Sequence, residues 1–367
     1  MTTLNQQGRL TAIDVLRGFD MFFLVGAGDV LRRLFAGFGL DPDNGILYQL
    51  SHADWIGFTA WDIIMPLFLF TSGLSMPFSF GKFGNGEDKK GLYAKIAKRF
   101  GLLFLLGWIA QGNLLDLDPS RFHIYCNTLH AIAFGYLITA LITLNARSFP
   151  GQVAWAVGLL AGYWLCMTFI PVPGVGSGRL TPDGNLAIYI DHALLGRFDD
   201  GTQYTWVITS LSFAATVMSG YLAGRLLQSG MSNRRKPAII AVTGLALIAA
   251  GLLLGLQMPI IKKIWSCSMV LLSSGICFLL LALSFLLTET MGLRGCWVTW
   301  LRVFGLNSIA AYILYTTFGL GSIARRLLRG FEGPAGVFFP FVVALGEFAI
   351  LWLILREMYR RGVFLKV

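Results

Sequence analysis

Ten apolar stretches, each near the length that crosses a bilayer, divide this chain and leave little room for an ordinary soluble core. A spanning helix needs about 20 mostly apolar residues. Such runs lie at 11–33, 55–80, 100–115, 126–145, 152–171, 205–228, 237–257, 267–288, 303–320 and 336–356. Composition agrees, since 56% of the 367 residues are hydrophobic, 13% are charged and the mean hydropathy is +0.68. A soluble domain carries roughly 25% charged residues, so much of this surface must face lipid. The expected fold is therefore all-α: a polytopic membrane helix bundle of about ten transmembrane helices, with 1–367 as a single transmembrane domain. Nothing in the periodicity suggests strands at barrel spacing. No cleavable leader is expected, because the first apolar stretch carries charges that a signal sequence would not tolerate.

A net charge of +10 invites a nucleic-acid reading. The basic residues, however, sit between the apolar runs, where the positive-inside rule puts them, and no nucleic-acid partner is expected. Arg9, Lys82, Lys89, Lys90, Lys95, Lys98 and Arg99 fall on one side with Arg234, Arg235, Lys236 and the C-terminal cluster ending in Lys366. Fewer, including Lys262 and Lys263, fall on the other. Both termini are accordingly expected in the cytoplasm. The five cysteines show no paired spacing, and Cys166, Cys267 and Cys277 lie within apolar runs, so neither a disulfide framework nor a zinc site is suggested.

That orientation places His52, His123, His130 and His192 at the non-cytoplasmic side, together with Asp54, Asp191, Asp199 and Asp200. Either the acids simply avoid cytoplasmic loops, or the outer face holds a polar vestibule with a titratable group. Polar residues inside the spans narrow the search, because each is costly in lipid. Asp14 and Arg17 are three apart on one helix face and form either a self-neutralised pair or part of a site. Asp62 precedes Pro66, which removes a backbone hydrogen bond and can open the helix. Asn127 and His130 open the fourth stretch, Asn307 and Ser308 open the ninth, and Glu347 stands alone in the tenth, where a structural hydrogen bond to another helix accounts for it.

The run Arg9-Leu-Thr-Ala-Ile-Asp14-Val-Leu-Arg17-Gly18 is followed by His52-Ala-Asp-Trp55-Ile-Gly57 and then by Trp61-Asp62-Ile-Ile-Met-Pro66. Together they resemble the heparan-α-glucosaminide N-acetyltransferase family and its bacterial glucosamine-acetylating relatives. The likeness continues through Arg99-Phe-Gly, Tyr189-Ile-Asp191, Pro259 to Trp265-Ser266, Asn307-Ser308-Ile309 with Tyr312, and Tyr359-Arg360-Arg361. The early Asp-x-x-Arg-Gly is shared by wider membrane acyltransferases; the His-x-x-Trp-x-Gly run with its following Asp and Pro is far more specific.

The resemblance implies a multi-pass enzyme of the bacterial inner membrane, a homodimer, that moves an acetyl group from cytoplasmic acetyl-CoA to an amino sugar across the membrane. Acetyl-CoA is a co-substrate, no metal is expected, and membrane lipid and the small amino sugar are the other partners. The family's catalytic histidine maps onto His52, which the sequence independently places between an outer loop and the span carrying Asp62. An imidazole suits the work, either as a general base for the amine or as a transient acetyl carrier, and the sequence leaves both open.

The family's Asn near the outer end of the first span is replaced here by Gly28 and Asp29. Asp29 could orient the His52 ring but cannot donate to an oxyanion when ionised, leaving Asn127, Trp265 or Asn307 for that task. Tyr315 stands where the family has a His, and His130-Ala131 where many relatives have Gln-Arg. The candidate catalytic set is thus His52, Asp62 and Asp29. Arg17, Arg99, Asn307 and Ser308 are candidates for the coenzyme, and Asp14, Trp55, Asn127, His130, Asp191 and Trp265 for the acceptor. The cytoplasmic lysines and arginines could meet phosphates or serve only as topology signals. A sugar or ion transporter is the rival class, and a metal protein using His52, Asp54, His123 and His192 a weaker one.

Overall fold

The computed structural model describes residues 10–41, 45–80, 89–112, 114, 115 and 117–365; Arg9, Lys82 and Lys366 lie outside them. Apart from a two-stranded hairpin, Leu180–Thr181 with Gly184–Asn185, the regular structure is helical. Among the described residues, six helices are long and apolar enough to cross a membrane: Ala60–Phe80, Thr128–Asn145, Phe149–Phe169, Lys236–Gly255, Cys267–Thr290 and Arg329–Arg360. A seventh span is made if Cys296–Leu306 and Ser308–Thr317, bent by 68° at their junction, are taken together.

The other three expected stretches are helical but are broken, charged or less apolar. The first is interrupted where Val25 and Gly26 leave helical geometry between Thr11–Phe22 and Gly28–Gly37. Lys89–Gln111 begins with a run of lysines ending in Arg99. Ser210–Gln228 is rich in hydroxyls and small residues and ends near Arg225. The stretch expected from 55 becomes helical only at Ala60, because 51–59 forms a loop that carries site residues.

Glycines set how closely the central helices approach. A Cβ on Gly73 would lie 1.9 Å from the Val217 carbonyl oxygen, and one on Gly220 would lie 2.0 Å from that of Phe70. The Ile64–Leu74 and Ser210–Gln228 helices therefore meet backbone to backbone, the small-residue packing that replaces a hydrophobic drive in lipid. The windows of the Ala60–Phe80 and Cys267–Thr290 spans are 67% and 61% buried, against 22% for Phe149–Phe169 and 17% for Lys236–Gly255. The first two are thus central and the second two peripheral, and the central Ala60–Phe80 helix carries polar groups at both ends.

Candidate active site

The Ala60 end is organised by Thr59. Its side chain caps the first turn while Asp62, three residues on, reaches back to the Thr59 amide, so the two satisfy each other's orphan donors. That capping box turns the Asp62 carboxylate toward the preceding loop. Asp62 Oδ2 accepts from the backbone amides of Thr59 at 3.1 Å and Ala53 at 3.3 Å. Its Oδ1 lies 2.7 Å from His52 Nδ1 and accepts from Lys262 Nζ at 3.1 Å. Lys262 Nζ is also 2.9 Å from His52 Nδ1, which closes a triangle. Asp62 is fully buried and the Lys262 side chain nearly so, whereas the His52 side chain is 43% exposed.

Lys262 reaches the triangle through backbone pairing. Gly57, whose φ of +132° lies outside the range an L side chain favours, donates to the Ile260 carbonyl at 2.9 Å. Ile56 pairs with Ile261 as an isolated antiparallel bridge, and a turn returns the chain to Ser266, whose hydroxyl caps the Cys267–Phe285 helix. Burial lowers the readiness of the Lys262 amine to hold its proton, and the Asp62 charge opposes that loss. The sequence had marked Lys262 only as one of the few cations on the outer side. A lysine on that side, inside the Pro259–Ser266 stretch, was the available signal.

With Nδ1 turned to a carboxylate, Nε2 is the ring nitrogen outside the triangle. Asp62, rather than Asp29, is the carboxylate at the His52 ring. Asp29 instead accepts from Arg33 Nε at 2.6 Å and stands 3.6 Å from Arg32 Nη2.

The expected acceptor residues divide into loop and core. Trp55 lies in the 51–59 loop, donating from its indole to the Leu180 carbonyl at 2.8 Å, with Lys263 Nζ 5.9 Å from its ring centroid. Asn127 caps the Thr128–Asn145 helix, accepting from the Leu129 and His130 amides and donating to the Gly107 carbonyl at 2.9 Å. His130 is buried, stacked on Phe104, and its Nε2 lies 3.1 Å from the Phe104 carbonyl oxygen. Trp265 is buried and donates to Thr216 Oγ1 at 3.1 Å. Asp191 accepts from the Trp206 and Val207 amides at 2.6 and 2.9 Å. Its burial, with Asp199 and Asp200 nearby, outweighs those bonds and pushes its carboxyl up to about 7. Asn127, His130, Trp265 and Asp191 thus have polar atoms engaged by protein, as does Trp55, which shares the 51–59 loop with His52.

The other end of the Ala60–Phe80 helix opens into a cavity of about 230 Å³. Arg17, Arg99 and Ser308 line it together with Ser72, Ser75 and Ser79. Arg17 Nη2 donates to Ser75 Oγ at 2.6 Å, and Arg99 Nη2 to Ser72 Oγ at 3.2 Å, with the Arg99 guanidinium 4.2 Å from the Tyr136 ring centroid. Three of the four expected coenzyme residues therefore share one chamber. The fourth, Asn307, is buried at the 68° bend beside it, and its Oδ1 has no hydrogen-bond partner among the described residues. Asp14 is buried with Arg302 Nε at 3.9 Å. Of the expected phosphate cations, Lys95 donates to Ser79 Oγ at 2.6 Å, while Lys236 is buried against the Leu227 carbonyl at 2.8 Å. Arg234 and Arg235 are exposed. Among the described residues, no group of three or more His, Cys, Asp or Glu side chains is arranged to hold a metal.

Comparison with known proteins bears out the resemblance to heparan-α-glucosaminide N-acetyltransferases. The chain is 26% identical over 370 residues to heparan-alpha-glucosaminide N-acetyltransferase of Homo sapiens and 25% identical over 372 residues to that of Mus musculus. These matches cover 84% and 85% of this chain but 53% and 54% of the relatives, so the chain spans about half the length of the curated relatives it matches. No family model matches the chain.

Proposed function

We propose, from this kinship and the two-ended central helix, that the chain is a bacterial inner-membrane N-acetyltransferase with both termini cytoplasmic. It moves an acetyl group from cytoplasmic acetyl-CoA to the amine of a glucosamine-type sugar on the periplasmic side. The observation that carries this reading is the placement of His52–Asp62 and the arginine cavity at opposite ends of one buried helix. Asp62 and Ser72 are ten residues apart, about 15 Å at helical rise, so a thioester entering from the cavity has a defined direction in which to reach His52.

In the reaction the sugar amine attacks the thioester carbonyl carbon, and the C–S bond breaks as the new C–N bond forms. His52 Nε2 takes the proton the amine gives up and can return it to the departing thiolate. In the covalent variant Nε2 attacks the thioester carbonyl carbon, the C–S bond breaks and the thiolate departs; the amine then attacks the acetyl-imidazolium, and the freed Nε2 takes the amine proton and passes it to the thiolate. Asp62 holds the ring so that Nε2 faces outward. Arg17 and Arg99 supply cationic donors, and Ser72, Ser75 and Ser308 neutral ones, for the polar pantetheine and phosphate groups of the coenzyme. Trp55 offers the acceptor an aromatic face beside His52. We read the assembly as a homodimer and one transmembrane domain across 1–367.

The test is acetyl transfer from labelled acetyl-CoA to glucosamine by the purified full chain in detergent. N-acetylated sugar, formed in proportion to enzyme, is the expected result. Sugar binding without acetylation in protein shown to be folded would move the chain to the transporter class.

A further inference from the structure

Lys262 is the one member of the triangle that the reaction above leaves unused. Its ammonium carries three donors and no acceptor, so it cannot bond to Nδ1 while Nδ1 holds a proton. Two arrangements are then possible. In the first the ammonium donates to Nδ1, the ring proton sits on Nε2, and Nδ1 faces Asp62 Oδ1 at 2.7 Å with no proton between them. In the second Nδ1–H donates to Oδ1, and the ammonium directs its proton to the same oxygen at 3.1 Å. The shorter contact selects the second, because two lone pairs repel at that separation.

The second arrangement leaves Nε2 with its lone pair and places a positive charge 2.9 Å from the ring. A carboxylate beside a histidine ordinarily favours the imidazolium. Here the same carboxylate also serves a buried cation, so a proton added at Nε2 meets a like charge. The remaining ionisable groups around the triangle do not replace that effect. Tyr204 lies within reach of the Asp62 charge, and burial keeps its phenol neutral. Lys263 donates to Gln203 Oε1 at 2.8 Å, and Asp54 is exposed.

We propose that Lys262 is a positioning residue that holds His52 as the uncharged Nδ1–H form, keeping Nε2 a proton acceptor in acid where an Asp–His pair alone would already be charged. The assignment rests on the reading that Nε2 takes the amine proton.

The test uses the full chain in detergent with isotopically labelled histidine. The chain has four histidines, and His52→Gln identifies the His52 signals. Nitrogen shifts in the native chain should show the proton on Nδ1. In Lys262→Met the ring should gain its second proton about one pH unit higher than in the native chain, because even at the dielectric of bulk water two unit charges about 3 Å apart oppose each other by roughly tenfold. The acid limb of acetyl transfer should move with it, and Lys262→Arg should restore both. An unmoved titration in folded Lys262→Met, or the proton on Nε2 in the native chain, overturns the proposal. Should Lys262→Met fail to fold, the native spectrum decides: a ring already carrying both protons at a pH equal to the ordinary imidazole value of about 6.5 overturns the proposal, and a single proton on Nδ1 there supports it. The spectra do not depend on turnover, so a native chain that never acetylates glucosamine defeats the acetyltransferase reading while leaving Lys262 judged by its own data.

Discussion

The two ends of the Ala60–Phe80 helix treat charge in opposite ways. At the Ala60 end a fully buried carboxylate is surrounded by donors, namely two backbone amides, an imidazole and a lysine. At the Phe80 end the guanidinium groups of Arg17 and Arg99 are backed by serine hydroxyls and border open space. The first end is complete in itself and has one outward-facing nitrogen left over. The second lines a cavity of about 230 Å³ with its donors. On the proposed function, the first end would serve the chemistry and the second would receive the coenzyme.

The largest effect is expected at the complete end. His52→Ala should lower acetyl transfer by roughly 100- to 10,000-fold, the usual loss for a general base, while melting like the native chain because His52 is partly exposed. Native-like turnover in that variant would remove the chemistry from this end of the helix. Asp62→Asn should instead cost stability, by about 3–5 kcal/mol, since Lys262 is left as a buried charge without its counterion. Thermal melts in detergent should show that loss, and adding Lys262→Met should recover part of it without recovering activity. Equal melting of the single and double variants would mean that the ion pair is not what the carboxylate is for.

The receptive end should answer in affinity. Arg99→Met removes a charged donor worth about 1.5–3 kcal/mol, which converts to roughly a 10- to 150-fold rise in the acetyl-CoA concentration required, with kcat much less affected. A fall in kcat at unchanged KM would place Arg99 in the chemistry and blur the distinction between the ends.

The smallest effect belongs to a carboxylate that contrasts with Asp62. Asp191 is equally enclosed but has acidic neighbours, and its carboxyl is pushed up to about 7 chiefly by burial. A folded-state value above the unfolded one means the native chain binds more protons. Its contribution is therefore fully present below about pH 4 and is lost as pH rises through 7. Melting temperature should decline across that window, and Asp191→Asn should flatten the decline.

Much of this was legible in the sequence, and the failures are physical. The helical, apolar character came through because about 20 consecutive apolar residues have few other uses. His52 and Asp62 could be paired in advance because they are ten residues apart in one motif, and Thr59-x-x-Asp62 is a local device. Arg17, Arg99 and Ser308 converge on one cavity as expected of polar groups that cannot face lipid. Lys262 was missed because its partner lies 200 residues away and the contact depends on the Ile56–Ile261 bridge, which leaves no local pattern. Asp29 stands where the resemblance places a partner for His52, whereas helical spacing delivers it to Arg33 four residues on. Among the described residues six or seven of the ten apolar stretches are long and apolar enough to span by length and composition, while the break at Gly26 and the cationic start of Lys89–Gln111 set two others apart.

The central claim is that donor and acceptor reach the helix from opposite faces of a membrane. Sealed vesicles holding the full chain, with acetyl-CoA supplied only on the face of the Arg17–Arg99 cavity and glucosamine only on the face of His52, test it directly. N-acetylated sugar should form in the His52 compartment, and acetyl-CoA supplied there instead should give almost none. Acetylation that requires both reagents on one face, or sugar crossing unmodified at saturating acetyl-CoA, would contradict the account.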